Sequence, residues 1–419
     1  VTTAPDGVAA TARRAQLASR VLAGLTREVK DAALHAAATA IESVADDALS
    51  ANAADVEAAG AAGTRGALLD RLTLTEPRLA AMADGLRAIA GLDDPIAEVI
   101  ETWERPNGLR LRRVRVPLGV VAVIYEARPN VTSDVAGLCL KSGNAALLRG
   151  SSSAQRTNLV VAEAIRGALR ATDVPEDAVQ LIADSRREVA RELMRLRGLV
   201  DLLVPRGGRA LIEEIVENAT VPFVIDGDGN CHVYVDSSAD LAMAARIAVN
   251  AKVSNPSVCN AAEKLLVHRA VADQFLPRVA AELASAGVEL RGDERARALV
   301  PEMAPVTEAD WDTEYLDKVM AVRIVDDLDE AITHVRAHGS GHTEAIVTAD
   351  DEAAQRFAAG CTSAVVMVNA STRFTDGGEF GFGAEIGNST QRLHARGPMG
   401  LRELTTYRIE VWGTGQVRE

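Results

Sequence analysis

Lysine is nearly missing from this chain: five of 419 residues, against 40 arginines. Guanidinium is therefore the default cation, and a lone Arg carries little information about function. Aromatics are scarce too, at 3%, while hydrophobic residues make up 48%, so the core must be built from Ala, Val, Leu and Ile. Cysteine is limited to Cys139, Cys231, Cys259 and Cys361. No CxxC pair occurs, which excludes a zinc ribbon and a dithiol redox site. Four Cys in a chain this long do not make a disulfide framework, and a reducing cytoplasm fits best. Positive charge is in deficit, with a net charge of −14. That disfavours nucleic acid and anionic membrane as partners, since both need a basic face, but leaves room for a local basic pocket around a phosphate. No apolar run reaches the ~18 residues of a membrane helix. Val1-Thr2-Thr3-Ala4-Pro5-Asp6 lacks the charged and apolar regions of a signal peptide. GxGxxG and GxxxxGK(S/T) are both absent, so any bound dinucleotide is held by a geometry other than the usual Rossmann turn or P-loop.

The length exceeds what one simple core accommodates, and two or more domains are expected. Residues 7–92 are Ala-rich, with Leu17, Val21, Leu22 and Leu25 at helical spacing. They read as three or four packing helices with a Gly-rich break near 60–63. Near residue 100 the period changes to two. Val99-Ile100-Glu101-Thr102-Trp103 and Leu109-Arg110-Leu111-Arg112-Arg113-Val114-Arg115-Val116 alternate around Asn107-Gly108, a strong hairpin signal. Such an Arg-rich ribbon needs covering. The matching strand Thr405-Thr406-Tyr407-Arg408-Ile409-Glu410-Val411-Trp412 suggests an oligomerisation arm. From Gly119 onward strands and helices alternate, as in a doubly wound α/β domain. Apolar runs at 120–125, 145–148, 199–204 and 221–225 read as buried parallel strands, with helices at 154–171 and 185–197. A second α/β unit has strands near 264–268, 322–325, 344–348 and 364–368.

Chemistry concentrates in Asn255-Pro256-Ser257-Val258-Cys259-Asn260. A single thiol lies in an amide-rich stretch, and amides can hydrogen-bond both a thiolate and the oxyanion formed when it attacks a carbonyl. The run that follows, through Leu266, has a helical look, and a helix N-terminus there would lower the thiol pKa. The histidines His334, His338 and His342 fall at i, i+4 and i+8. Gly339 and Gly341 interrupt that pattern and no carboxylate completes it, so a helix end and substrate-side loop are expected, with no metal.

Several segments match one family in order. The Cys259 segment resembles the catalytic loop of the gamma-glutamyl phosphate reductases, a branch of the aldehyde dehydrogenase superfamily. Tyr125-Glu126-Ala127-Arg128-Pro129-Asn130-Val131-Thr132, Leu140-Lys141-Ser142-Gly143-Asn144-Ala145, Leu148-Arg149-Gly150 and Pro205-Arg206-Gly207-Gly208 are similar to its other signatures. So are His338-Gly339-Ser340-Gly341-His342-Thr343-Glu344-Ala345-Ile346 and Phe380-Gly381-Phe382-Gly383-Ala384-Glu385-Ile386-Gly387. The resemblance spans nearly everything from about residue 100 onward.

The resemblance implies an aldehyde dehydrogenase-like α/β fold: two doubly wound α/β domains plus a β-ribbon oligomerisation arm. Residues 1–98 and 118–230 would form the dinucleotide-binding domain, 99–117 and 403–419 the arm, and 231–402 the catalytic domain. It implies NADPH-dependent reduction of L-glutamate 5-phosphate to L-glutamate 5-semialdehyde and phosphate through a Cys259 thioester, the second step of proline biosynthesis. Asn130 would hold the oxyanion with the Cys259 backbone N–H. Arg149, Gly150, Ser151, Pro205, Arg206, Gly207, Gly208 and Glu314 would contact NADP(H), the two arginines reaching its 2′-phosphate and Glu314 the nicotinamide ribose. Arg128, Ser257, Asn260 and Arg373, the last in the loop Ser371-Thr372-Arg373, are candidates for the substrate. Asp226 matches the place of the superfamily's water-activating Glu but is one methylene shorter, which suits exchange with phosphate rather than hydrolysis. Expected partners are the small-molecule substrate, further copies of the chain, and the glutamate 5-kinase that makes the substrate.

Overall fold

The structure, a computed structural model, describes residues 7–225 and 227–418. The chain divides into two compact units. One comprises Val1–Ile225, Gly381–Gly387 and Met399–Glu419; the other comprises Asp226–Phe380 and Asn388–Pro398.

The first unit opens with five helices rather than three or four: α1 (Gly7–Leu22), α2 (Arg27–Ser43), α3 (Ala45–Ala61), α4 (Gly66–Leu72) and α5 (Glu76–Gly91). The seven-residue α4 completes under two turns, too short to display a period. Strands β1 (Val99–Glu104) and β2 (Arg110–Pro117) form the expected hairpin, with Gly108 at φ 81° in its turn. Thr405–Trp412 pairs antiparallel with β2 along its whole length. The ribbon covers its own arginines. Arg113 lies 4.7 Å from the Tyr407 ring centroid and Arg112 5.5 Å from that of Trp412, while Arg112 and Arg115 pair with Glu410 and Glu98. Cation–π contact and ion pairing give these arginines partners, while β1 and Thr405–Trp412 stay mostly exposed.

Next comes a four-stranded parallel sheet of β3 (Val120–Tyr125), β4 (Ala145–Gly150), β5 (Val179–Leu181) and β6 (Leu202–Arg206), in the order β5-β4-β3-β6. Continuous apolar strands are what burial on both faces demands, and every residue of β3 and β4 is buried. Helix α6 (Asn130–Lys141) follows β3, α7 (Gln155–Leu169) follows β4, and α8 (Arg187–Leu193) precedes β6. The expected strand at 221–225 is not one. Pro222 has no N–H to give a ladder, and only Phe223 bridges to Leu203. Because β4 and β6 flank β3, the order reverses there, and the carboxyl ends of these strands are where an α/β sheet binds ligands.

The second unit is built on a seven-stranded parallel sheet. Its strands are β7 (Cys231–Val235), β8 (Ala262–His268), β9 (Glu289–Gly292), β10 (Ala304–Pro305), β11 (Val319–Val325), β12 (Thr343–Val347) and β13 (Val365–Val368), ordered β10-β9-β11-β8-β7-β12-β13. Helix α9 (Leu241–Val253) joins β7 to β8, and the Asp240 carboxylate caps it by accepting from the N–H groups of Ala242 and Met243. One face of the sheet buries Val233, Leu265, Phe275, Leu276 and Val322, the other Tyr234, Leu266, Ile346 and Phe357. The run after Cys259 is therefore central strand, as expected near 264–268, and its helical look is not realised. A short apolar run buried on both faces has no period to separate the two.

Candidate active site

In the first unit the residues singled out lie at the carboxyl ends of β3, β4 and β6. Glu126 N–H donates to the Arg206 carbonyl at 3.1 Å, and the Glu126 carboxylate accepts from Gly208 N–H at 3.2 Å. Gly208 opens a helix over Arg209–Asn218 that has no acidic residue in its first turn, an end suited to a phosphate. The chain is tight at Gly207, where a Cβ would meet the ends of the Glu126 and Leu211 side chains at 2.9 Å and 2.7 Å. It is tight at Gly150 as well, where a Cβ would come within 2.2 Å of the amide of Asn158, itself buried. Ser151 Oγ accepts from Ala127 N–H at 3.4 Å, tying the β3 and β4 ends together. Pro205 is buried in β6. Such close backbone packing fits a cofactor that lies against strand ends.

Arg149 is buried, and its Nη2 donates to the Ser185 and Arg186 carbonyls. Burial lowers its pKa, and its Nε is enclosed without a hydrogen-bond partner. Asn130 is the exposed first residue of α6, and its Nδ2 donates to the Asp134 carboxylate one turn on, at 2.8 Å. Burial pushes the Asp134 carboxyl up to about 6, against the pull of Asn130 and Arg206. Nothing in the sequence reading pointed to Asp134. The i, i+4 spacing from Asn130 was the available signal.

In the second unit the residues gather at the amino ends of the strands, opposite to the usual rule. Cys259 lies in the loop between α9 and β8 and is half-buried, whereas Cys139, Cys231 and Cys361 are buried. The base of that loop is closed by Lys252 and Glu263, paired at 2.8 Å with both side chains at 0% exposure. Burial lowers the lysine and raises the carboxyl, each effect opposed by the partner. Asn260 anchors the far side. Its Nδ2 donates to the Thr375 carbonyl at 3.0 Å, its carbonyl accepts from Thr372 Oγ1 at 2.6 Å, and Arg373 donates to its Oδ1. Arg373 Nε also donates to Ser254 Oγ at 3.1 Å, and Ser257 N–H to Asn255 Oδ1 at 3.3 Å. Thus Asn260 and Arg373, read as substrate candidates, come together here with Ser257 as parts of the scaffold around Cys259. No helix N-terminus follows Cys259, so the thiol lacks that source of activation; amide donors remain.

Glu314 lies at the same end. Its Oε1 accepts from Gly229 N–H at 2.7 Å. Gly229 touches the nucleophile loop so closely that a Cβ would fall 1.7 Å from the Cys259 carbonyl oxygen. Cys231 Sγ sits 3.2 Å from that oxygen. Asp226 lies outside the described residues. His334 and His338 end a helix over Leu328–His338. His334 packs edge-on against Trp311 and His232, His338 reaches Asp312 at 2.8 Å, and His342 is buried beside Thr343. Burial and neighbouring cations push His334 down to about 2. Among the described residues, no three His, Cys, Asp or Glu side chains are placed to hold a metal.

The family model for the aldehyde dehydrogenase family matches residues 3–309. A gamma-glutamyl phosphate reductase of Thermobifida fusca is 56% identical over 407 residues, 97% of each chain, and one of Moorella thermoacetica is 54% identical with the same coverage. The crystal structure of a gamma-glutamyl phosphate reductase from Thermotoga maritima superposes with a TM-score of 0.96 at 48% identity, covering 98% of this chain and 99% of that one.

Proposed function

Since the chain belongs to the gamma-glutamyl phosphate reductases of the aldehyde dehydrogenase family, we propose that it reduces L-glutamate 5-phosphate to L-glutamate 5-semialdehyde, releasing phosphate, as the second step of proline biosynthesis. The observation that carries the nucleophile is Cys259 itself, the one cysteine of four that is not buried, on a loop pinned at both ends. Its thiolate attacks the acyl carbon and phosphate leaves, giving a thioester. The Cys259 N–H and the Asn130 amide stabilise the oxyanion; Asp134, by accepting one Asn130 N–H, fixes which way that amide faces. A bound nicotinamide cofactor supplies the hydride that reduces the thioester. Collapse of the resulting hemithioacetal frees the aldehyde and restores the thiolate. Arg128, Ser257, Asn260 and Arg373 are the side chains proposed around the amino-acid end of the substrate.

Enzymes of this family use nicotinamide cofactors, and NADP(H) is the proposed one here. Gly150, Ser151 and Pro205 to Gly208 form the backbone bed, the helix opening at Gly208 favours a pyrophosphate, and Glu314 takes the nicotinamide ribose. Arg149 and Arg206 are the side chains proposed to supply positive charge for a 2′-phosphate. The test is oxidation of glutamate semialdehyde as phosphate is titrated, run with NADP⁺ and with NAD⁺. Turnover should require phosphate or arsenate, should prefer NADP⁺, and should leave no free glutamate. A hydrolytic dehydrogenase would instead work in phosphate-free buffer and depend on Asp226 by about 10²–10⁴-fold. Full activity without phosphate would overturn the proposal.

Assembly rests on the ribbon. Ile409, Val411 and Trp412 are 48%, 55% and 56% exposed on its edge strand, an apolar edge that proteins normally cover. The proposal is a homo-oligomer joined through this arm. Truncation after Leu404 should move the sedimentation profile toward monomer; an unchanged profile refutes the arm. Association with glutamate 5-kinase is proposed because an acyl phosphate is labile in water, and co-sedimentation of the two enzymes checks it. A cytoplasmic location agrees with four unpaired cysteines, and no described helix is long and apolar enough to cross a membrane.

A further inference from the structure

The scarcity of lysine acquires a meaning in the fold. Four of the five, Lys30, Lys141, Lys252 and Lys264, are at most 1% exposed, although ammonium groups are among the costliest to bury unless paired. Lys252 has Glu263. Lys264, which follows Glu263 on β8, has no carboxylate hydrogen-bonded to it among the described residues. Its Nζ donates to the Thr313 carbonyl at 2.7 Å and lies 4.8 Å from the centroid of the Tyr315 ring. Both partners flank Glu314. A fold that uses arginine almost everywhere else places a compact, short-reach ammonium here, where a guanidinium fork would have too many donors to satisfy.

The rest of that segment is held in the same way. Glu263 is the extra residue where β8 slips register against β7, between Ala262 and Lys264, and its carboxylate accepts from Leu316 N–H at 3.4 Å. Leu316 adopts a left-handed φ of 54°, which costs a non-glycine residue energy and persists only when its surroundings fix it. Tyr315 donates its hydroxyl to Asp310 at 2.7 Å. Residues 313–316 are therefore held at the amino end of β8 by two adjacent side chains, Glu263 and Lys264. Between these anchors the Glu314 carboxylate accepts from Gly229 N–H, beside the nucleophile loop.

We propose that Glu263, Lys264 and Tyr315 form a clamp that positions the Glu314 carboxylate for the cofactor. Lys264 is then a positioning residue, touching neither cofactor nor substrate. The inference rests on the reading of Glu314 as a cofactor contact, and the test separates the two. Binding of NADPH is measured by titration for Glu314→Gln, Lys264→Met and the double variant, with thermal melts alongside. Glu314→Gln should raise the Kd roughly tenfold, as loss of a charge-assisted hydrogen bond does. Lys264→Met should raise it by a similar factor, more than it lowers kcat at saturating NADPH. The double variant should be no worse than Glu314→Gln, because the clamp acts only through that carboxylate. Additive losses, or an unchanged Kd in a folded Lys264→Met, overturn the clamp. An unchanged Kd in Glu314→Gln overturns the cofactor role of Glu314 and the clamp's function with it. Should Lys264→Met not fold, Tyr315→Phe decides: it removes only the hydroxyl bond to Asp310, and a Kd about threefold higher supports the clamp while wild-type binding refutes it.

Discussion

Replacing Cys259 with alanine should abolish turnover, by about 10⁴-fold or more, while the melting temperature and cofactor affinity stay near wild type. The side chain is small and half-buried, so its loss opens no core cavity. The loop keeps its shape through Lys252–Glu263 at the base and Asn260 at the far side, none of which involves the thiol. No other cysteine can take over. Burial raises the Cys139 and Cys231 thiols well above their ordinary value and Cys361 to about 12, so none supplies thiolate at neutral pH. Removing Cys361 the same way should leave activity within roughly tenfold, as for a packing residue. The assay is NADPH oxidation with chemically generated L-glutamate 5-phosphate, and a pre-steady-state burst of phosphate without NADPH reports the acyl-enzyme. Measurable steady turnover by the alanine variant would rule out the thioester.

How much of this was legible depended on the range of the interactions involved. The ribbon could be read because its signals are local: period two on either side of Asn107-Gly108, and the turn sits there with Gly108 at positive φ. Strand β3 was read with its observed bounds because six apolar residues between turn signals fit a doubly buried strand. The segment after Cys259 carried two readings, a helical look and a strand near 264–268; the strand holds, with Leu265 and Leu266 on opposite faces, and apolar residues on both faces had erased the period. Strand β5, at three residues, and β7, so soon after the Asp-Gly-rich stretch, left no separate mark. The burial of lysine was invisible for another reason: nothing adjacent to Lys264 says that its amine will meet a carbonyl 49 positions later. The amide-rich stretch singled out Cys259 and the family resemblance gave it its role, whereas Glu314, which alone would read as surface charge, rests on resemblance only. Gly229 went unread as a contact. Its neighbour in space is 30 positions away, and a glycine beside an Asp reads first as a turn.

That glycine yields the second large effect. Gly229→Ala should lower kcat by about 10²-fold or more and destabilise the fold by about 1–3 kcal/mol. The added Cβ would lie 1.7 Å from the Cys259 carbonyl oxygen, 2.3 Å from its carbonyl carbon and 2.4 Å from its Cα. All three are backbone atoms, so no rotamer change relieves the overlap, and either the nucleophile loop or the entry to β7 must move. The loop cannot yield freely, because a buried ion pair and the Asn260 bonds hold it. The β7 entry cannot yield alone either, because Gly229 N–H is bonded to Glu314 and Asn230 donates to the carbonyls of Trp311 and His338, each at 2.7 Å. Whichever side gives way, the thiol or the Glu314 carboxylate is displaced, so both kcat and the cofactor affinity should suffer. Gly208→Ala is the control, since a Cβ there meets nothing within 4 Å and its melting temperature should match wild type. Steady-state kinetics and thermal melts of the two variants decide the matter. Wild-type kcat in Gly229→Ala would mean that the contact with Cys259 places nothing the reaction needs.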